Sequence, residues 1–356
     1  MGKILHRGGL ILLFLLVAGS VFWWRTMLWT GQLRSAAPHF EGSCQNIALA
    51  GTGGSEDLVI DRNNRLVYIS RYDFRSTTAD GSIWLMPVDA PNTAKQMKLP
   101  LLDGARFAPH GIDLWVDSAG RQFLFVIDHG SAPTQMVRKF EIVGDSLRLV
   151  RSFQSPEFYS PNDVAVIGEN QFYLTNDNRA KPGSMRALFS VLLRQKTGNV
   201  VWTDGEQSNV VASGMALANG IAVSNDRETL YVSSTIDQKL RIFSREQNNG
   251  ALQLTDSLPL DSGLDNIDVA ADGSVWIGSH PRLLDFSAHA ADSNKRSPSQ
   301  VLRLDMGKKS IEEIYASDGN PLSGVSVAAQ IDNRLFLGAV FDPTVLVCTV
   351  NEKEKS

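Results

Sequence analysis

The sequence predicts an all-β fold: a six-bladed β-propeller of four-stranded blades, preceded by one hydrophobic N-terminal helix. Three observations carry this. Six segments repeat one hairpin pattern at intervals of about 50 residues, further strand-like stretches fill the gaps between them, and no long amphipathic helix interrupts the series.

The first element stands apart. Lys3 and Arg7 precede the apolar run from Gly8 to Trp24, followed by Arg25 and a second apolar patch from Met27 to Trp29. A run of this length lies near the lower limit for spanning a bilayer and exceeds most signal-peptide cores. Trp23 and Trp24 sit where interfacial aromatics anchor a span, and basic residues before it favour a cytoplasmic N-terminus. An uncleaved signal-anchor is the expectation, with a cleaved signal peptide or a buried helix as alternatives. Either leading reading exports the rest, placing the propeller on the periplasmic or extracellular side or secreting it. The expected division is an anchor over 1–30, a linker over 31–42, the propeller over 43–350 and a polar tail over 351–356.

The six hairpins open at Glu56-Asp57, His110-Gly111, Asn162-Asp163, Asn219-Gly220, Asp265-Asn266 and Ser323-Gly324. Each continues as an alternating apolar strand, a turn rich in Asp, Asn or Gly, and a second apolar strand, which is the mark of an antiparallel hairpin. Ser82 to Pro87, Gln135 to Ile142, Lys239 to Phe243 and Gln300 to Leu304 supply outer strands. Each repeat therefore holds about four strands, the content of one propeller blade.

The bulk numbers agree and exclude some partners. The chain has 356 residues, is 43% hydrophobic and carries a formal charge of −4, without the basic footprint that nucleic-acid binding needs. No Gly-x-Ser-x-Gly elbow, Walker-type loop or Asn-x-Ser/Thr acceptor occurs. The two cysteines, Cys44 and Cys348, lie near the two ends of the predicted propeller and lack zinc-type spacing. They are either two buried free thiols or a disulfide joining the first strand to the last in an oxidising compartment. The disulfide reading makes them a staple across the seam where the ring closes. No feature specifies an oligomeric state.

If the hairpins are equivalent, their opening residues meet around the channel axis at one end. The ends of the second strands reach the same rim at Ser70, His129, Asn176-Asp177, Ser234 and His280. Any one Asn or Asp there would be an ordinary turn former; six in register point to a site. Oxygen ligands of mixed charge without cysteine suit a hard cation, and calcium takes six to eight oxygens from carboxylates, amides, carbonyls and water. Glu56, Asn162, Asn219, Asp265 and Asn266 can supply five. Asp57 and Asp163 follow two of these ligands, point the other way along their strands and can hold a second, deeper calcium with help from a backbone carbonyl.

These residues also carry a resemblance. GSEDLVI, FAPHGID, VIDHGS, PNDVAVIGENQFYLTND, ANGIAVS, LDNIDV and WIGSHP occur in order between about residues 40 and 350. The chain thereby resembles the paraoxonases, calcium-dependent lactonases and arylesterases of the gluconolactonase-like propeller group. The resemblance implies two calcium ions, one held by Glu56, Asn162, Asn219, Asp265 and Asn266, the other by Asp57, Asp163 and the carbonyl of Ile112. It further implies that His110 and His129 form the pair that activates water, that Cys44 and Cys348 form the family disulfide, and that the hydrophobic N-terminus anchors the protein. Two stretches depart from the family: Asn178-Arg179-Ala180-Lys181, and the loop from Tyr72 to Asp80. They leave the metal ligands intact and bear on substrate range; activity on organophosphates is not implied.

The expected chemistry is hydrolysis of a lactone, with aryl esters as side substrates. His110 is the expected general base and His129 its orienting partner, because imidazole titrates near working pH. Asp177 is assigned to orient water or the leaving alkoxide, and His280 to shape the pocket or bond substrate. His6, His39 and His289 are given no role. The alternatives are a sugar-lactone hydrolase, a non-catalytic calcium-stabilised binding propeller, and, less fittingly, a strictosidine-synthase-like condensing enzyme.

Overall fold

In a computed structural model, residues 2–76, 78–102, 106–130, 135–180 and 184–350 are described, residues 2–8 by backbone only. The tail over 351–356 lies outside the described residues.

Six antiparallel sheets radiate from a common axis. Their innermost strands are Gly54–Asp61, Pro109–Val116, Pro161–Val166, Ala218–Val223, Gly263–Val269 and Val325–Ile331, in blades 1 to 6. Each packs against the next and the sixth returns to the first. Six apolar clusters of the described residues fill the six wedges between neighbouring sheets, so inner strands are buried on both faces.

The ring is closed by a strand from the other end of the chain. Gly42–Ala48 pairs antiparallel with Thr344–Val350 as the outermost strand of blade 6, and Cys44 stands directly opposite Cys348. The two form a disulfide. Five blades have four strands; blade 5 gains a fifth from the two-residue strand His39–Phe40, which extends the propeller into the stretch expected as linker. Crosslinking so large a loop restricts the unfolded chain, and the loop-entropy model assigns it about 5 kcal/mol. Replacing both cysteines by Ser is expected to lower the unfolding free energy by up to that amount, read as a shifted denaturant midpoint under non-reducing conditions.

Each innermost hairpin carries a register irregularity at the same end of the ring: at Ser55/Asp57, Pro109/Ile112, Pro161/Val164, Ala218/Ile221, Leu264/Ile267 and Val325/Val327. Bulges re-aim side chains, and these fall on the opening residues singled out above. The sixth corrects the sequence alignment by three positions: Ser326, not Ser323, stands at the irregular step where blade 1 has Glu56, and its hydroxyl donates to the Glu56 carbonyl at 2.6 Å. Inner strands converge here so closely that a Cβ on Gly111 would meet the Asn162 carbonyl oxygen at 2.6 Å, and one on Gly220 would meet that of Asp265 at 2.6 Å. Only glycine fits at those two opening positions.

Among the described residues, three α-helices are added to the ring. α1 (Gly2–Trp29) contains a 21-residue stretch, Gly9–Trp29, long and apolar enough to cross a membrane, with its side chains largely exposed. Its C-terminal end docks on the propeller: Leu283 N–H donates to the Thr30 carbonyl at 2.9 Å and Gln238 donates to the Trp29 carbonyl at 2.6 Å. α2 (Met185–Leu192) and α3 (Leu283–Ala291) are short excursions from blades 3 and 5.

Candidate active site

The five residues expected around the first ion come from the bulges of blades 1, 3, 4 and 5, and all are buried. Asn266 donates its amide to Glu56 Oε1 at 2.9 Å and to the Glu56 carbonyl at 3.1 Å, linking blade 5 to blade 1. Asn219 donates to Thr235 Oγ1 at 3.0 Å, and Asp265 Oδ2 lies 2.8 Å from His280 Nε2.

Their remaining acceptors are the telling feature. Glu56 Oε2, Asn162 Oδ1, Asn219 Oδ1 and Asn266 Oδ1 are buried and have no hydrogen-bond partner. A buried acceptor left unsatisfied costs about 1–3 kcal/mol, and four on one ring, each on a residue chosen as a ligand, require a common explanation. The amide groups of Asn219 and Asn266 turn their donors toward protein and leave their oxygens bare. An oxygen-seeking cation satisfies all four at once, so the donor set fits calcium. Among the described residues no group of three or more His, Cys, Asp or Glu side chains is placed to hold a metal; this ring relies on three amides beside its two carboxylates.

Asp57 and Asp163 lie one residue further along. Asp57 accepts from Leu58 N–H at 2.8 Å and Ile112 N–H at 2.7 Å; Asp163 accepts from Val164 N–H at 2.7 Å and Ile221 N–H at 2.8 Å. Each thus latches its own strand to the next blade. Burial, then for Asp57 the charge of Asp163, pushes the Asp57 carboxyl well above its usual range; burial does the same to Asp163. Both line a cavity of about 270 Å³ lower in the channel, which Ile112 also borders. A cation there would offset two buried negative charges.

His110 Nε2 lies 3.2 Å from Glu56 Oε1, and its Nδ1 lies 2.8 Å from His129 Nε2; His129 Nδ1 lies 2.8 Å from Gln135 Oε1. With Gln135 accepting, His129 carries its proton on Nδ1, accepts from His110 Nδ1–H and leaves His110 Nε2 directed at the ring. Burial, reinforced by His110, pushes His129 down to about 3, so it stays neutral. Burial opposes charging His110, yet the Glu56 carboxylate outweighs it and raises the imidazole.

Asp177 is held by the Ser160 hydroxyl and the Asn178 N–H, and its charge is felt at His110; burial raises its carboxyl. His280 is buried, stacks on Phe286 with centroids 3.7 Å apart and has no partner for Nδ1. All the predicted residues therefore sit on the ring, its inner wall or the lower channel. Sequence reasoning missed the supports: Thr235, Ser160, Gln135 and Ser326, and the rim aromatics Phe74, Phe286 and Phe341. They occupy loops, the short helix α3 or single hydroxyl positions that carry no repeat signal. His289, given no role from the sequence, is buried on α3.

Comparisons with known proteins bear on the family and the fold. The human serum paraoxonase/arylesterase 2 is 28% identical over 300 residues, covering 81% of this chain and 84% of its own. The Gallus gallus serum paraoxonase/arylesterase 2 is 30% identical over 301 residues, again 81% and 84%. Among solved structures, a gluconolactonase from Xanthomonas campestris shares the fold with a TM-score of 0.53 at 18% identity, covering 90% of this chain and 99% of its own. The family model described as Arylesterase matches residues 65–350, the whole of blades 2 to 4 and most of blades 1, 5 and 6, and the chain belongs to that family.

Proposed function

We propose that this protein is a calcium-dependent hydrolase of lactones that also cleaves aryl esters. The observation that carries it is the ring of four buried, unpartnered oxygens on Glu56, Asn162, Asn219 and Asn266; membership of a family whose relatives are named paraoxonases and arylesterases supports the ester chemistry. Asp265 completes that ligand set, and Asp57, Asp163 and the Ile112 carbonyl form the set for a second ion.

Bound calcium supplies Lewis-acid polarisation of an ester carbonyl. The chain does the rest. His110 Nε2 takes the proton of the attacking water, and the adjacent Glu56 carboxylate stabilises the imidazolium that results. His129 and Gln135 fix the His110 ring through its other nitrogen, so the base needs no reorientation as it acts. Asp177, held by Ser160, faces the same charge field and is placed to orient water or the leaving alkoxide. His280, stacked on Phe286 and bonded to Asp265, holds that carboxylate in position and presents Nδ1 as a further polar group.

His110→Gln is expected to lower kcat about 10²–10⁴-fold, the usual worth of a general base, with His129→Gln giving a smaller loss in the same direction. Steady-state kinetics on a lactone check both. The test of the whole reading is hydrolysis of a lactone and phenyl acetate with and without chelator; inactivity in both states rejects it in favour of a binding propeller.

The apolar α1 and the disulfide support an exported protein tethered by residues 1–30, with the propeller over 43–350 on the far side of the membrane. α2 exposes Met185, Leu188 and Phe189 near the docked end of α1, which suits a propeller held against a bilayer.

A further inference from the structure

Two groups of aromatic side chains stand at the mouth, one on the blade 1 loop and one on α3 and the blade 6 loop. Phe74, in the loop of blade 1, packs on the His110 ring with centroids 5.0 Å apart. Phe341, in the loop after the second strand of blade 6, lies 5.8 Å from Phe286 on α3, and Phe286 stacks on His280. One residue joins the two halves. The Arg75 guanidinium lies 4.3 Å from the centre of the Phe341 ring, donates to the His289 carbonyl at 2.6 Å and to the Ala290 carbonyl at 3.3 Å. Those carbonyls end α3, where a helix leaves its last acceptors unpaired and presents partial negative charge. Arg75 therefore caps a helix from blade 5, stacks on an aromatic from blade 6 and belongs to a loop of blade 1.

The loop beneath it is prepared for that reach. Asp73 Oδ1 accepts from Arg75 N–H at 3.0 Å, Ser76 N–H donates to the Asp73 carbonyl at 2.9 Å, and the Tyr72 hydroxyl donates to the Ser76 carbonyl at 3.2 Å. These bonds shape the turn, yet none ties it to blades 5 or 6. Across the mouth, only the Arg75 contacts were found to do so among the described residues of this loop.

We propose that Arg75 is a positioning residue, a clasp that pins the blade 1 loop to α3 and Phe341 and so assembles Phe74, Phe341 and Phe286 into one apolar wall for the hydrophobic substituent of a lactone. The proposal rests on the hydrolase reading above. Arg75 touches no reacting atom; it selects substrates through the wall. Arginine suits the task because its planar, delocalised cation stacks on a ring while its N–H fork reaches carbonyls, a combination lysine lacks.

The test compares two δ-lactones, one unsubstituted and one bearing an alkyl tail, in wild type, Arg75→Ala and Phe341→Leu, with amide hydrogen exchange over residues 73–76. The ratio of kcat/KM for the tailed over the unsubstituted lactone is expected to fall about tenfold in both variants, the worth of one to two buried methylene groups, mainly through KM. Exchange over 73–76 is expected to quicken. Losses equal for both lactones, or exchange as slow as in wild type, overturn the clasp. Phe341→Leu breaks the stack without changing a residue of the loop, and quickened exchange over 73–76 in that variant decides the matter if Arg75→Ala folds poorly. Should wild type hydrolyse neither lactone, the hydrolase reading fails, and exchange alone still decides whether Arg75 holds the loop.

Discussion

Asn162→Ala is expected to reduce lactone hydrolysis at fixed calcium by at least about a hundredfold, since even partners one step removed from a metal are worth 10–100-fold. The position is informative because Asn162 Oδ1 has no hydrogen bond within the protein. Truncating it removes a buried, unsatisfied acceptor, which costs about 1–3 kcal/mol where it stands. The metal-free variant should therefore be at least as stable as the metal-free wild type, while losing turnover and calcium affinity together. A residue that served only packing would show the reverse: lower stability in chelator and retained activity. Parallel melts and kinetics separate the two outcomes.

Chelation is expected to act on both chemistry and stability. Removing calcium leaves four bare oxygens on the upper ring and the buried Asp57 and Asp163 carboxyls, whose raised titration reports uncompensated burial. A ligand present at a thousandfold over its Kd contributes about 4 kcal/mol to the folded state. For a domain of this size that corresponds to roughly 8 °C in Tm. Chelator should lower the melting temperature by that order and abolish hydrolysis; adding back calcium should restore both. Asp57→Asn is expected to shrink the stability response more than the catalytic one, because Asp57 faces the lower cavity.

The ring and the residues that open its blades were legible because a propeller repeats. Every blade repeats the same inner hairpin and opens at a common rim, so the hairpin pattern and the polar opening pairs recur at each blade. Glu56, Asn162, Asn219 and Asp265 could be picked by register, and Cys44 with Cys348 by their place at the two ends of the ring. Where the repeat is imperfect the reading slipped: Ser323-Gly324 resembles an opening pair, but blade 6 places its irregular step at Ser326. The loops between strands obey no period. Nothing in the local pattern of Arg75 announces that it caps a helix more than 200 residues away, and His289 reads as polar loop until α3 buries it. Residues whose role is set by non-local contacts leave no periodic trace.

Isothermal titration of calcium into metal-free protein, with lactone hydrolysis followed in the same samples, tests the central claim most directly. Wild type should bind calcium and gain activity in step with occupancy, whereas Asn162→Ala should lose that coupling. Full hydrolysis by protein that holds no divalent ion would contradict it.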